Sequence, residues 1–196
     1  MQKLLKIANI KEYISNGKKN KWPKSWNKCP MCRYFNKIIE YGFYMRYYIN
    51  CHLGINGKIY VKRYYCKECK KTISLLPDFC IRRYILSFDD ILDFLYIKYK
   101  RKISLEKYLI ELNEKYPFLN LSKQQYYNYL NRLVINIPLI KSVLRIIVKS
   151  MTFESVGKTE KERLMGLLKC IKNEFSPLNN FLYIFHQHTN KSPLSL

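Results

Sequence analysis

Apolar residues recur every three or four positions at the start of the chain, at Leu4, Ile7, Ile10 and Ile14, with Gly17 as a stop. This pattern predicts an amphipathic helix over 2–15. The period then changes. Tyr34–Ile39, Tyr41–Ile49 and Lys58–Tyr65 are dense in Tyr, Ile, Phe and Val, which suit a pleated, half-buried surface. Gly54, Asn56 and Gly57 supply a turn. The segment Ser74-Leu-Leu-Pro77 marks a boundary, and helical spacing takes over beyond it.

Ser87 caps a helix with Asp89 and Asp90 in its first turn and Phe88, Ile91, Leu92, Leu95 and Tyr99 as its apolar stripe. Ser104 caps a second, with Leu105, Tyr108, Leu109, Leu112 and Tyr116 inward and Pro117 as a stop. A short turn, Phe118 to Leu121, leads to a third helix capped by Ser122, with Gln125 completing a capping box. Its core stripe is Tyr126, Tyr129, Leu130 and Leu133. Pro138 opens a fourth helix through about Ser150, and a fifth spans Lys161 to Phe175. The tail from Ser176 is left unassigned. The Ser104 and Ser122 helices, joined by a short turn, fit a helix-turn-helix.

Composition narrows the class. The chain has 196 residues, 48% of them hydrophobic, enough for a true core. Lys and Arg number 36 against 14 Asp and Glu, a net charge of +22 with a pI near 9.7. Such an excess points to a polyanion, nucleic acid first and an anionic membrane surface second. Lys, Ile, Asn, Tyr and Phe are favoured by A/T-rich codons, but so is Glu, and there are only ten. Drift alone therefore explains the charge poorly. The excess is spread along the chain, at +7 over 1–28, +6 over 29–80, +4 over 81–135 and +5 over 136–196. A broad basic surface is expected rather than one basic arm. The loop 16–28, with Trp22 and Trp26, reads either as a phosphate-contacting arm or as a linker packed on the β-unit. No apolar run approaches ~18 residues, no helix has the polarised faces of a membrane-surface helix, and no export signal is evident. The expectation is a cytoplasmic protein with no membrane partner.

Seven cysteines stand at 29, 32, 51, 66, 69, 80 and 170. Four form the pairs Cys29-Pro-Met-Cys32 and Cys66-Lys-Glu-Cys69. A Cys-x-x-Cys turn sets two sulfurs on one side of a tight knuckle, and two knuckles close a tetrahedral thiolate site. Disulfides need an oxidising compartment, and a redox motif needs no second copy. The expectation is structural Zn²⁺ held by Cys29, Cys32, Cys66 and Cys69, with no coordination position left for catalysis. Cys51-His52 lacks knuckle spacing. Cys51, Cys80 and Cys170 are read as small core residues, and His186-x-His188 as an ordinary tail pair.

The fold class that follows is α+β: a small antiparallel zinc ribbon, then an all-α region containing the helix-turn-helix. The expected divisions are 1–28 (N-terminal helix and basic loop), 29–80 (zinc ribbon), 81–135 (helix-turn-helix region) and 136–196 (C-terminal helices and tail).

The order of these parts resembles a family. Cys29-Pro-Met-Cys32, Val61-Lys-Arg-Tyr-Tyr-Cys66-Lys-Glu-Cys69-Lys-Lys-Thr72 and Ser74-Leu-Leu-Pro-Asp-Phe79 are similar to the N-terminal region of bacterial insertion-element transposases. They are especially similar to uncharacterised transposase-like zinc-ribbon proteins of mobile elements in low-GC bacteria. The resemblance covers roughly residues 29–135. It implies sequence-specific DNA binding with zinc as a structural ion. One departure stands out: a Gly commonly follows each knuckle in such ribbons, and here Arg33 and Lys70 stand there.

The leading expectation is a non-catalytic DNA-binding protein that is no enzyme, with double-stranded DNA as partner. An active transposase needs three carboxylates around two metal ions, yet the only aspartates are Asp78, Asp89, Asp90 and Asp93. The alternative is an RNA-binding or protein-interaction ribbon whose tyrosines (44, 47, 48, 60, 64, 65) either stack bases or fill a small core. The helical wheel from Ser122 sets Gln124, Tyr127, Asn128, Asn131 and Arg132 opposite the core stripe, with Lys123 at the N-terminus. Gln124 and Asn128 are the expected base contacts and Lys123 a phosphate contact, on a site rich in A·T pairs.

Overall fold

The computed structural model describes residues 2–24, 26–147, 159–175 and 178–195. The architecture is α+β. One four-stranded sheet is built from β1 (Gln2–Leu5), β2 (Ile38–Asn50), β3 (Ile55–Cys66) and β4 (Lys71–Pro77). Around it run α1 (Ile10–Asn16), α2 (Phe88–Lys100), α3 (Leu105–Lys115), α4 (Lys123–Ile135), α5 (Ile137–Ile147), α6 (Glu160–Glu174) and α7 (Asn179–Thr189). The fourth predicted helix is α5, and its expected last turn, 148–150, lies outside the described residues.

The sheet order is β1-β4-β3-β2, with β1 parallel to β4 and the other pairs antiparallel. Two parts of this differ from the periodicity reading. Residues 2–5 are a strand, because Asn9 caps the following helix. Its side chain accepts from the Glu12 N–H at 3.2 Å, so helix begins only at Ile10. The short segment before it fills the open edge of β4, pairing Gln2 with Ser74 and Leu5 with Pro77. The Ser74–Pro77 boundary is itself the inner half of a strand.

The β2–β3 hairpin is the beam of the molecule. It pairs Ile38 with Cys66 at one end and Asn50 with Ile55 at the other, a span of about 40 Å. A β-bulge between Glu40 and Gly42 changes its face parity. Before the bulge, Ile39 and Tyr41 lie on one face. After it, Tyr44, Arg46 and Tyr48 continue that face, while Phe43, Met45 and Tyr47 turn to the other. Gly42 has φ +93°, which an L side chain rarely adopts.

Three apolar clusters result. One lies around the knuckles and contains Ile38, Tyr64, Ile73 and Leu75, with Trp22 and Trp26 packed against it. A second joins Tyr13 of α1 to Tyr48, Ile59, Val61, Leu76 and Phe79. The largest unites α2 to α7 and takes in Ile49 and Cys51 from the hairpin tip. Trp26 tilts against Tyr64 at 4.8 Å and Trp22 sits edge-on to Tyr13, so the tryptophans of the basic loop are packing residues. Of the sheet tyrosines, Tyr48 and Tyr64 are core.

The tip is tied to α2 by backbone and side chain together. Ile49 N–H donates to the Ile85 carbonyl, and Ser87 N–H to that of Ile49. Cys51 N–H donates to buried Asp90 at 2.8 Å, and so does the Ser87 hydroxyl at 2.7 Å. His52 Nε2 lies 2.7 Å from Asp93, which also pairs with Lys172 of α6.

Candidate metal centre and nucleic-acid interface

The hairpin delivers the second knuckle directly: Cys66 ends β3 and Cys69 lies in the turn to β4. The first knuckle is docked on it from the chain before β2. Cys29 N–H donates to the Tyr34 carbonyl and Arg33 N–H to that of Cys29, closing the loop, while Lys67 N–H donates to Lys37 across the hairpin end. The four sulfurs of Cys29, Cys32, Cys66 and Cys69 lie within 4.8 Å of one another. Cys29–Cys69 is 3.9 Å and Cys32–Cys66 is 3.7 Å. A disulfide needs about 2.05 Å. A thiolate tetrahedron with metal–sulfur bonds of about 2.3 Å has edges of about 3.8 Å. The set therefore fits one tetrahedral metal ion and no disulfide.

Its electrostatics agree with that use. Burial opposes ionisation of Cys29, but N–H groups of Cys32 and Met31 and the neighbouring thiols outweigh it and bring Cys29 down to about 7. Burial and the adjacent Cys66 thiol push Cys69 up to about 12. Cys29 ionises readily while Cys32 and Cys69 resist, the pattern of like groups crowded into one place. A divalent cation held there would relieve that crowding and would be bound by all four as thiolates.

Arg33 and Lys70, the residues following each knuckle, have φ of 64° and 53°. These are left-handed positions that glycine occupies without strain. Of the remaining cysteines, Cys51 and Cys80 are buried and Cys170 is partly so. Cys51-His52 belongs to the α2 joint, and His186 and His188 lie in the last turn of α7. Among the described residues, the four cysteines are the one set of His, Cys, Asp or Glu whose ligand atoms converge.

The second candidate site is the α3–turn–α4 hairpin. Ser104 and Ser122 cap the two helices as their sequences require, and Gln125 closes the capping box at α4. The turn is held by a contact that spacing did not reveal. The Asn113 amide accepts from the Leu121 N–H at 2.8 Å and donates to its carbonyl at 3.1 Å. Lys123 also forms an ion pair with Glu106 at the start of α3. Tyr126, Tyr129, Leu130 and Leu133 are buried. Lys123, Gln124, Tyr127, Asn128 and Asn131 are exposed, and Arg132 is half-buried. The six candidate residues thus share the solvent side of one helix. Sequence reasoning missed Asn113 and Glu106; an Asn before a turn was the available signal for the first.

Among the described residues, no helix is long and apolar enough to cross a membrane. Compared with family models, curated proteins and solved structures, the chain matches none of them.

Proposed function

We propose that this chain is a non-catalytic, sequence-reading DNA-binding protein related to mobile elements. In this reading Zn²⁺ on Cys29, Cys32, Cys66 and Cys69 is structural, α3 and α4 act as a helix-turn-helix, and α4 enters the major groove. The observation that carries it is the exposed row Gln124, Tyr127, Asn128 and Asn131 on α4, opposite a fully buried stripe, in a chain of net charge +22. Amides at successive helical turns suit adenine edges, and Arg132 suits guanine. Dispersed lysines neutralise phosphates and set the register.

The acidic residues speak against a nuclease core in this reading. Asp93 is engaged by His52 and Lys172, and Asp90 by Ser87 and Cys51. They hold the hairpin tip to α2 and leave no trio of carboxylates facing one open point among the described residues.

The test is selection of bound duplexes from a random pool by the zinc-loaded chain at defined salt. An enriched A·T-rich motif is expected. Asn128→Ala should relax preference at one position, by about 1–3 kcal/mol of discrimination. Lys123→Ala should weaken all duplexes alike and reduce the salt slope by about one. No enriched motif, or equal losses on every sequence from both variants, rejects α4 as the reader.

A further inference from the structure

The sheet face that carries Ile39, Tyr41, Arg63 and Tyr65 is only half covered. Towards the hairpin tip the same face is sealed by α1 and Phe79, through Val61, Ile59, Leu76 and Tyr48. Towards the knuckles it is open: Tyr41 is 52% exposed and Ile39 is 39% exposed, with Tyr65 and Arg63 half-buried beside them. The rings of Tyr41 and Tyr65 lie 5.4 Å apart, tilted by 30°. The Arg63 guanidinium sits 5.2 Å from the Tyr41 ring and 5.7 Å from the Tyr44 ring.

That arginine is held by rings and by no acid. Among the described residues no carboxylate lies within ion-pair distance of it. One nitrogen reaches the Phe43 carbonyl at 3.4 Å, and Nε is buried without an acceptor. Glu40, the acid of β2, belongs to the opposite face, where it pairs with Lys62 at 2.5 Å. At the open end the strands continue to exposed Lys37 and Lys67, joined by a backbone hydrogen bond. Lys37 stands immediately before β2 and Lys67 immediately after β3, at the open end of the hairpin beside Ile39 and Tyr65.

We infer that this half-face binds single-stranded nucleic acid, with unpaired bases stacking on Tyr41 and Tyr65 and the phosphates running past Arg63, Lys37 and Lys67. The exposed Tyr41 ring, with the half-buried Tyr65 ring beside it, offers a π-face that any base can cover, and cations without an acidic ion-pair partner among the described residues match a phosphate chain. A protein partner would need complementary acids and would leave the exposed Tyr41 ring face unused. The bulge at Gly42 is the device that builds the site. It keeps Tyr41 with Tyr65 while turning Phe43 to the other side. The surface is separate from α4, so it stands independently of the duplex reading.

The experiment titrates the zinc-loaded full chain with fluorescent oligothymidylate and oligouridylate of about twelve nucleotides. Both should bind. Tyr41→Ala and Tyr65→Ala should each weaken binding by about 5- to 150-fold, whereas Tyr→Phe at either position should retain it. Duplex selection should be unchanged by all four variants. As a measurement that needs no variant to fold, irradiation of the parent chain with an iodouracil-containing oligonucleotide should place the adduct on Tyr41 or Tyr65. Absence of single-strand binding, alanine variants that bind as the parent does, or adducts only elsewhere would overturn the proposal. If the alanine variants fail to weaken single-strand binding while Asn128→Ala still relaxes duplex preference, this inference alone is lost.

Discussion

Arg33 and Lys70 show how a Cys-x-x-Cys knuckle reshapes local preference. Both follow a Cys-x-x-Cys turn, and both are held at positive φ. The left-handed conformation costs a non-glycine residue about 1–2 kcal/mol, and glycine's extra freedom when unfolded returns part of that. Arg33→Gly and Lys70→Gly should therefore each stabilise the metal-loaded protein by about 0.5–1 kcal/mol, read as a higher denaturant midpoint at unchanged slope. A lower midpoint would mean that the side chains make contacts outweighing the strain. Spacing alone located these positions as the ones that follow the knuckles. Their backbone angles depend on the closed loops, in which Arg33 N–H must reach back to Cys29.

The turn between α3 and α4 depends on one amide. Asn113 satisfies both backbone groups of Leu121 across eight residues, which fixes how α4 leaves α3. Asn113→Ala strands a buried donor and acceptor pair and should destabilise the protein by about 1–3 kcal/mol. Amide hydrogen exchange should quicken across 116–122, and duplex affinity should fall with it. Unchanged exchange there would show that the capping box and the Glu106–Lys123 pair suffice. The joint between the hairpin tip and α2 carries a pH signature. Burial raises the carboxyls of Asp89 and Asp90 above their ordinary range, and the neighbouring Asp90 charge adds to the rise at Asp89. Between the ordinary value and the raised one the folded state holds more protons than the unfolded, so this contribution to stability falls as pH rises through that window. Asp89→Asn stays neutral throughout. Its stability relative to the parent should climb as pH rises from about 4 toward neutral, in paired melts across pH. A constant difference would place the Asp89 carboxyl in water.

The molecule has two supports joined by one beam. The knuckles, with their own small cluster, hold one end of the hairpin; the helical core holds the other. Chelation of the metal should therefore loosen β2, β3 and β4 near Ile38 and Cys66, because so small a β-unit has little core of its own. The α2–α7 core, which is separate, should keep its structure. Hydrogen exchange with and without chelator distinguishes the two halves, and equal loss in both would show a single cooperative unit. Local chemistry was legible along the chain: the paired cysteines, the serine caps at 87, 104 and 122, the Gln125 capping box and the buried stripe of α4 all depend on residues within a few positions of each other. The rest rested on distant partners. Residues 2–5 pair with residues 74–77, so only the fold makes them a strand. The bulge at Gly42 is set by register against β3, and it decides which aromatic residues are core and which stay open. Short-range patterns are carried by propensity and hydrogen bonds within one turn; face, register and edge pairing arise when separate segments meet, and only the tertiary structure decides them.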